Sequence, residues 1–458
     1  MLILKKYFGT DGIRRVANTG LTPELAYKVA KAGAYVLAKH ASNTPTILIG
    51  RDTRLSGNLI ESAMIAGFLS YGANVKVLGV IPTPAVAYLT KKLGADAGVV
   101  ISASHNSFEF NGIKFFSNKG MKIPDSIEEE IEEIMDSDKL NDLNASDDKI
   151  GISENKEEMI SDYEEFIVQI FEKSINDKLP SGFKVAIDTA NGATYKIAEK
   201  IFTRLGIEFK IINNNPNGIN INKDCGSTHL EMLKEYVTSN KYNLGIAYDG
   251  DGDRCLAVDE NGNEINGDIM LAILSKYLKE ENTLKKDTVV ATVMSNLGLD
   301  IYCKNNNLNL EKTNVGDRYV LEEMLNKGYN LGGEQSGHII FLDYNPTGDG
   351  ILTSLMLIRS MVKYNKKASE LASIIDIYPQ VLVNAKVALD KKYLYKEDSE
   401  ITKMIQEVEE KLKNDGRVLI RPSGTEPLVR VMLEGKNIDK ITQYANDIAQ
   451  IIEKKSNL

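Results

Sequence analysis

The sequence lacks the many cysteines and the excess of positive charge that are features of zinc-binding, disulfide-rich and nucleic-acid-binding proteins. It contains three cysteines, Cys225, Cys255 and Cys303, which are far apart and form no Cys-x-x-Cys pair. A zinc site or a disulfide framework is therefore not expected. The formal net charge of −9 argues against a broad surface for nucleic acid. An anionic ligand would need local basic loops.

The sequence also lacks long hydrophobic runs. No apolar run reaches the roughly 18 residues of a membrane-spanning helix. Residues 1–6, Met-Leu-Ile-Leu-Lys-Lys, have no charged region ahead of an apolar one, so they do not resemble a signal peptide. We therefore expect a cytoplasmic protein without a membrane partner.

Strand-like and helix-like segments alternate through most of the 458 residues, which predicts an α/β fold. Three strand, polar loop and helix units begin at Thr46, Lys184 and Val289 and suggest a threefold internal repeat. The acidic, weakly apolar segment 136–158 predicts a solvated linker or surface loop. We place the domains at 1–157, 158–258, 259–372 and 373–458, the last being the smallest.

The most informative motif is Asp-Gly-Asp-Gly-Asp-Arg at residues 249–254. Apolar runs at 244–248 and 255–258 predict short buried strands on both sides. The two glycines allow the loop to curl until Asp249, Asp251 and Asp253 converge. Three hard oxygen donors suit Mg²⁺, and Arg254 can hold a phosphate group. The loop therefore predicts phosphoryl chemistry.

Two other interpretations of this motif remain open. Acidic, glycine-rich loops are common as solvated turns. The three aspartates and Glu260 also fall at positions one, three, five and twelve of an EF-hand loop. However, Arg254 stands at the sixth position, where an EF-hand needs glycine, and the flanks predict strands. The EF-hand is therefore disfavoured.

Two further polar loops carry candidate catalytic or binding groups. Residues 101–107, Ile-Ser-Ala-Ser-His-Asn-Ser, bring Ser102, Ser104 and a histidine to the end of a predicted strand, near Lys114. An ordinary turn or helix N-cap is the alternative. In residues 332–338, Gly-Gly-Glu-Gln-Ser-Gly-His, Glu334 and Ser336 are two apart, so both can face one ligand such as a sugar. A plain tight turn is the alternative.

A basic loop near the C-terminus has the composition of a phosphate site. Residues 421–427 read Arg-Pro-Ser-Gly-Thr-Glu-Pro, and Arg430 follows. Guanidinium groups, hydroxyls and backbone N–H groups around Gly424 can form an anion nest, with a structural turn as the alternative. Neither a Walker motif nor a dinucleotide Gly-x-Gly-x-x-Gly occurs, so a nucleotide is not required.

These loops, in this order, resemble those of the α-D-phosphohexomutases, and the resemblance covers nearly the whole chain. The supporting stretches are residues 8–14, 101–106, 111–115, 220–222 with 225–227, 315–319 and 333–338. The resemblance implies three similar α/β domains and a smaller C-terminal α+β domain around a central cleft. Each domain would supply one loop to the site.

The resemblance also implies a role for each matching residue. Ser104 would carry a phosphoryl group, and one Mg²⁺ would be held by Ser104, Asp249, Asp251 and Asp253. The expected catalytic side chains are those of Arg14, His105, Lys114, Arg254 and His338, with Lys114 and His338 as acid and base. The expected substrate-binding residues are Gly316, Asp317, Arg318, Glu334, Ser336, Arg421, Ser423, Gly424, Thr425 and Arg430.

The implied reaction moves a phosphoryl group between O6 and O1 of a hexose phosphate through phosphoserine and a sugar 1,6-bisphosphate, which also serves as primer. Glucosamine is the expected sugar, with glucose or mannose as the alternative, and a non-catalytic sugar-phosphate sensor as a further one. The product would feed UDP-N-acetylglucosamine and peptidoglycan precursors. The expected partners are small sugar phosphates, and the expected state is a monomer or homodimer.

Two residues depart from the family pattern. Ser107 stands where the family usually has proline, and proline would fix φ at that point. Arg15 stands where the family usually has glycine, and it adds bulk and charge. Neither departure removes a catalytic group, so we expect altered kinetics rather than loss of function.

Overall fold

The computed structural model describes residues 6–9, 11–39, 44–172, 179–423 and 426–456. Contacts divide the chain into two compact units, of which the first comprises Met1–Met294 and Leu308–Ile374 and the second comprises Ser295–Asn307 and Ile375–Leu458. Throughout those ranges, every helix is too short or too polar to cross a membrane.

The first sheet lies in the first unit and has six strands among the described residues, in the order β1-β5-β4-β2-β3-β6. Its strands are β1 (Ile13–Val16), β2 (Thr46–Arg51), β3 (Asn74–Val80), β4 (Ala97–Ile101), β5 (Phe110–Ser117) and β6 (Ser153–Asn155). The associated helices are α1 (Pro23–Leu37), α2 (Gly57–Tyr71), α3 (Thr83–Lys92), α4 (Asp125–Met135), α5 (Lys139–Asp142) and α6 (Ile160–Glu172). Strand β4 is buried at every residue, as its uninterrupted apolar sequence predicts.

The acidic segment 136–158 is more ordered than the sequence predicts. It is largely exposed, but it contains α5 and β6, and β6 pairs in parallel with β3 at the edge of the first sheet. The prediction of a simple linker or surface loop was therefore wrong for β6. Its three residues, Ser-Glu-Asn, are all exposed and so lack the alternating apolar pattern that identifies a strand from sequence.

The second sheet, also in the first unit, has the order β11-β10-β9-β7-β8 over the part of the chain that the structure describes. Its elements are β7 (Lys184–Asp188), α7 (Ile197–Arg204), β8 (Glu208–Ile212), α8 (Glu231–Asn240), β9 (Leu244–Tyr248), β10 (Cys255–Asp259) and β11 (Glu264–Ile265). The antiparallel pair of β9 and β10 carries the acidic motif in its connection. Both predicted flanking strands are confirmed and fully buried.

The third sheet has the order β13-β12-β14-β15 within the described ranges. Its strands are β12 (Thr288–Thr292), β13 (Asn309–Thr313), β14 (Leu331–Gly333) and β15 (Ile339–Phe341). The helices in this stretch of sequence are α9 (Gly267–Glu280), α10 (Leu297–Asn305), α11 (Asp317–Lys327), α12 (Gly350–Tyr364) and α13 (Ala368–Ala372), of which α10 belongs to the second unit. The Glu334/Ser336 loop joins the antiparallel strands β14 and β15.

The second unit contains α10 and a three-stranded antiparallel sheet with the order β16-β18-β17 in the described residues. Its remaining elements are β16 (Gln380–Lys386), α14 (Leu394–Glu397), α15 (Ser399–Leu412), β17 (Gly416–Pro422), β18 (Leu428–Gly435) and α16 (Ile438–Ser456). The N–H of Leu297 donates to Oε2 of the buried Glu434 at 2.9 Å, which ties α10 to this sheet.

Candidate active site

The connection between β9 and β10 brings three carboxylates to one point. Asp249, Asp251 and Asp253 are buried, and one oxygen of each lies within 4.8 Å of those of the other two. Gly252 has φ +72°, which glycine adopts without strain. A Cβ at Gly250 would lie 2.6 Å from a backbone carbonyl oxygen, so no larger residue fits. Strands on both sides exclude the EF-hand interpretation.

This cluster fits a divalent cation. Oδ1 of Asp251 and Oδ1 of Asp253 are buried and have no hydrogen-bond partner among the described residues. Burial and the charges of Asp253 and Asp251 raise the pKa of Asp249 well above its usual range, whereas Lys114 and His338 outweigh burial at Asp253 and lower its pKa well below that range. Hard carboxylate oxygens with unused lone pairs are the ligands that Mg²⁺ prefers.

Ser104 reaches the carboxylate cluster from the loop after β4. Its Oγ donates a hydrogen bond to Oδ2 of Asp249 at 2.6 Å, and the residue is buried. Its φ of +51° is uncommon for a residue other than glycine. Ser102, two residues earlier, donates to Oδ2 of Asp52 at 2.6 Å. Of the two serines, therefore, only Ser104 presents its hydroxyl to the cluster.

Lys114 is a buried cation beside the same carboxylates. Its Nζ lies 3.0 Å from Oδ2 of Asp251, 3.1 Å from Oδ2 of Asp11 and 3.7 Å from Oδ2 of Asp253. Burial lowers the pKa of Lys114, but these carboxylates outweigh burial and raise the pKa well above its usual value. The side chain is therefore protonated and offsets part of the negative charge.

The imidazole of His338 lies between two carboxylates and a backbone amide. Nδ1 is 3.6 Å from Oδ2 of Asp253, and Nε2 is 3.4 Å from Oδ2 of Asp317. The N–H of Gly348 donates to Nε2 at 2.9 Å. Burial lowers the pKa of His338, but the two carboxylates outweigh burial and raise the pKa above its usual value.

Two arginines lie beside these groups. Nη1 of Arg14 donates to Oδ1 of Asn106 at 3.2 Å, and Nη2 pairs with Oδ2 of Asp11 at 3.0 Å. Nε of Arg254 is 3.9 Å from Oδ1 of Asp253 and, although buried, has no hydrogen-bond partner in the part of the chain that the structure describes. Arginine presents a planar fork of donors that matches a phosphate group. Both side chains are therefore available to an anionic ligand.

His105 follows Ser104 directly, and its Nδ1 is 3.5 Å from the Ser104 Oγ. Burial, together with the charges of Arg254 and Arg14, lowers the pKa of His105 to about 4. The imidazole is therefore neutral near pH 7 and can accept a proton or a hydrogen bond at one ring nitrogen.

A cleft of about 670 Å³ opens beside these groups in the first unit. Its lining residues come from segments 7–15, 253–254, 292–294, 315–317 and 334–338. Segments from the first, second and third sheet regions thus meet at one cavity. The volume lies within the usual range for small-molecule sites.

The loop between β14 and β15 contributes the predicted sugar-binding pair. Oε1 of Glu334 accepts a hydrogen bond from the N–H of Gly316 at 3.2 Å. Within the described ranges, Oγ of Ser336 is buried without a hydrogen-bond partner. Glu334, Ser336 and Gly316 all line the cleft. The carbonyl of Gly337 accepts from the N–H of Cys255 at 3.0 Å. This bond anchors the loop to β10.

Arg318 contacts acidic side chains that do not line the cleft. Its Nη2 donates to Oε1 of Glu128 at 3.0 Å, and its Nη1 pairs with Asp125. These contacts hold the 316–318 segment against α4, whereas Asp317 itself lines the cleft. The assignment of Arg318 to sugar recognition stays a prediction.

The predicted phosphate loop lies in the second unit. The register of β17 and β18 places Arg421 directly opposite Arg430. Burial and the charge of Arg430 lower the pKa of Arg421. Ser423 is buried just after β17, while Gly424 and Thr425 lie outside the described residues.

Three further residues of the site were not selected from the sequence. Oγ1 of Thr83 donates to Oδ2 of Asp251 at 2.7 Å. Nζ of Lys122 lies 2.5 Å from Oδ1 of Asp11 and also pairs with Asp317. Asp11 stands in the 8–14 motif, which was a usable signal. Thr83 and Lys122 are ordinary in their local sequence, so only the fold identifies them.

Comparison with known families finds four domains in order along the chain. Domains I, II and III of the phosphoglucomutase/phosphomannomutase family, each described as alpha/beta/alpha, match residues 5–142, 161–262 and 266–378. The C-terminal domain of the same family matches residues 382–451. Together these matches cover most of the sequence.

Two relatives are similar along their whole length. A phosphoglucosamine mutase of Ruminiclostridium cellulolyticum is 55% identical over 448 residues, which cover 98% of this chain and 99% of the relative. A phosphoglucosamine mutase of Clostridium beijerinckii is 56% identical over 452 residues, covering 99% of this chain and all of the relative.

Solved structures show the same fold. A phosphoglucomutase/phosphomannomutase family protein of Burkholderia thailandensis has a TM-score of 0.82 at 21% identity, covering 100% of this chain and 98% of the other. An N-acetylphosphoglucosamine mutase of Aspergillus fumigatus, in complex with GlcNAc-6P and magnesium, has a TM-score of 0.69 at 16% identity, covering 98% and 96%. With all four domains matched in order and relatives more than half identical along its length, the chain belongs to the phosphoglucomutase/phosphomannomutase family of enzymes.

Proposed function

We propose that this enzyme interconverts glucosamine 6-phosphate and glucosamine 1-phosphate. The observation that carries the proposal is the Ser104 hydroxyl, 2.6 Å from Asp249 within a cluster of three buried carboxylates. The choice of sugar is supported by the two relatives named phosphoglucosamine mutase at 55% and 56% identity. The product would feed the synthesis of UDP-N-acetylglucosamine and cell-wall precursors.

The proposed reaction starts from phosphorylated Ser104. The O1 hydroxyl of glucosamine 6-phosphate attacks the phosphorus, so that a bond from phosphorus to O1 forms and the bond to the Ser104 Oγ breaks. The 1,6-bisphosphate then turns round in the cleft. The Ser104 Oγ attacks the phosphorus on O6, which releases glucosamine 1-phosphate and restores phosphoserine. A trace of the bisphosphate primes any enzyme whose Ser104 is unmodified.

The side chains around Ser104 suit this transfer, because phosphoryl transfer depends mainly on positioning and on neutralising charge. The Lys114 ammonium is held within the carboxylate cluster, and Arg14 and Arg254 present guanidinium groups beside it. We assign proton transfer between the sugar hydroxyl and the Ser104 Oγ to Lys114 and His338, with His105 lining the same centre.

We further propose that Asp249, Asp251 and Asp253 hold one Mg²⁺ together with an oxygen of phosphorylated Ser104. The orphaned oxygens Oδ1 of Asp251 and Oδ1 of Asp253 support this assignment. When bound, the ion supplies positive charge to the transferring phosphoryl group.

The remaining predicted residues would bind the parts of the substrate that do not react. In this proposal the sugar hydroxyls are bound by the residues of the two sugar loops, namely Gly316, Asp317, Arg318, Glu334 and Ser336. The phosphate that is not transferred is bound by Arg421, Ser423, Gly424, Thr425 and Arg430.

We also propose that the domain boundaries lie near residues 157, 258 and 372. The enzyme works in the cytoplasm as a monomer or homodimer.

A competition followed by ³¹P NMR tests this proposal. The protein, Mg²⁺ and a trace of glucose 1,6-bisphosphate are mixed with the 6-phosphates of glucosamine, glucose and mannose. Glucosamine 1-phosphate should appear first, Ser104→Ala should abolish all turnover, and Ser107→Ala in the same loop should retain it. Faster turnover of glucose or mannose would refute the choice of sugar. Binding without any turnover would refute catalysis and favour a sensor.

A further inference from the structure

We propose that Arg54 and Asn222 are positioning residues for phosphoryl transfer, because together they fix the backbone of the loop that carries Ser104. The inference rests on the proposed function, since it assigns a kinetic role to two residues that lie outside the predicted site. Neither residue lines the cleft.

The guanidinium of Arg54 is fully used in holding this loop. The side chain has 0% exposure, and its Nε donates to Oδ2 of Asp52 at 2.8 Å. Nη1 and Nη2 donate to four backbone carbonyls between the end of β4 and the start of β5, those of Ser104, Asn106, Ser107 and Phe110. An arginine has five N–H donors, and here each has an acceptor.

Asn222 reaches the same loop from the second sheet region. Its Nδ2 donates to the carbonyl of Ser104 at 2.8 Å and to that of Asn106 at 2.9 Å. Its own N–H donates to the carbonyl of Ala190 at 2.9 Å, which fixes the position of the asparagine. Both loop carbonyls therefore accept two hydrogen bonds, one from Arg54 and one from Asn222.

These bonds explain how Ser104 keeps an unfavourable backbone conformation. At φ +51° a serine is in the left-handed region, which residues other than glycine seldom occupy. The carbonyls of residues 104 and 106 are fixed by these bonds, and from this backbone the Oγ of Ser104 reaches Oδ2 of Asp249 at 2.6 Å. Arg54 and Asn222 thus orient the Ser104 Oγ through the backbone, without contacting that atom.

The same bonds account for the departure at residue 107. Proline would restrict the turn through its ring, and Ser107 lacks that restriction. In this structure Arg54 donates to the Ser107 carbonyl, and the N–H of Phe110 donates to the same oxygen at 3.2 Å. The turn is therefore fixed by hydrogen bonds at the residue where the family usually has a ring.

Asn222→Ala tests the proposal without leaving a buried charge unpaired. The matched control is Asn217→Ala, because Asn217 lies in the same segment, is exposed and accepts a bond only from its own turn, from the N–H of Ile219. A nucleophile displaced by about 1 Å can lose on the order of a hundredfold in rate. We expect kcat to fall about 10- to 100-fold in Asn222→Ala, with KM within about twofold of wild type.

Arg54→Lys should act in the same direction, since lysine keeps the charge beside Asp52 but is a point charge that cannot make four directed bonds. Its kcat is compared per folded molecule, using the amplitude of the unfolding transition. An unchanged kcat in Asn222→Ala, or a loss expressed only in KM, would overturn the positioning role.

A readout independent of turnover separates this inference from the proposed function. Amide hydrogen exchange of residues 102–107 should accelerate in Asn222→Ala and stay at the wild-type rate in Asn217→Ala. If wild-type protein turns over no sugar phosphate, the proposed function fails, and the exchange rates still decide whether Asn222 holds the loop. Unchanged exchange in Asn222→Ala would overturn the inference whatever the activity.

Discussion

The Ser104 hydroxyl donates a 2.6 Å hydrogen bond to Oδ2 of Asp249. The proposed nucleophile and the proposed metal site therefore share one carboxylate, and a phosphoryl group on Ser104 would replace this hydrogen bond. Since Asp249 belongs to a cluster of three buried carboxylates, charge and position at Ser104 are set by the same loop.

Asp249→Asn should separate metal binding from folding. Burial and the charges of Asp253 and Asp251 raise the pKa of Asp249, so a neutral amide relieves repulsion, and the metal-free Tm should equal or exceed that of wild type. Mg²⁺ at about a hundred times its Kd adds about 2.7 kcal/mol to a protein that binds it only when folded. Thermal unfolding with and without Mg²⁺ should show this gain in wild type and little of it in the variant.

Lys114→Gln should destabilise the protein and lower kcat. The ammonium compensates carboxylates at 3.0 Å and 3.1 Å, and breaking a buried pair by removing one partner costs about 3–5 kcal/mol. Urea unfolding measures the loss. Lys119→Gln, an exposed lysine of the following turn, should unfold like wild type. Equal midpoints for the two variants would contradict the buried-cation role.

His105 should remain neutral in metal-free protein down to about pH 4. Burial and the charges of Arg254 and Arg14 lower its pKa from 6.5 to about 4. Between these values the unfolded chain binds the proton and the folded chain does not, so this group's contribution to stability is lost as pH falls from about 6.5 to 4. An NMR titration, with His105→Asn to identify the signal, checks the midpoint. A midpoint near 6.5 would refute the prediction.

Gly348→Ala should disturb His338 and the metal loop together. A Cβ at this position would lie 2.5 Å from the Asp253 carbonyl oxygen and 2.6 Å from the His338 ring. Such crowding typically costs about 1–3 kcal/mol, and kcat should fall. At Gly94 a Cβ meets nothing within 4 Å, so Gly94→Ala strains only the backbone and should keep wild-type kcat. Equal kcat in both variants would argue against crowding of His338.

Ser107→Pro should leave kcat close to that of wild type, because Arg54 already fixes the turn at this residue. A compatible substitution to proline stabilises a protein by about 0.4–1 kcal/mol through the unfolded chain, so the Tm should rise slightly. Steady-state kinetics and the Tm test this together. A large gain in kcat would mean that the loop is loose in the native enzyme.

The strands around the acidic motif could be predicted from the sequence because their cause is local. Apolar runs of five and four residues on the two sides of an Asp-Gly repeat are enough to place a buried strand, a tight loop and another strand. Residues 153–155 are exposed and have no apolar pattern, so β6 could not be predicted from the sequence. It forms because its backbone pairs in parallel with β3 at the edge of the sheet.

By itself, the sequence thus determined the α/β alternation, the loops that carry Ser104, Asp249 and Glu334, and the family. Only the tertiary structure decided which side chains meet. Lys114 and Asp251 are 137 residues apart, and Asn222 and Ser104 are 118 apart. Such contacts depend on the packing of one sheet region against another, and short-range patterns of hydrophobicity carry no information about distance between segments far apart in the chain.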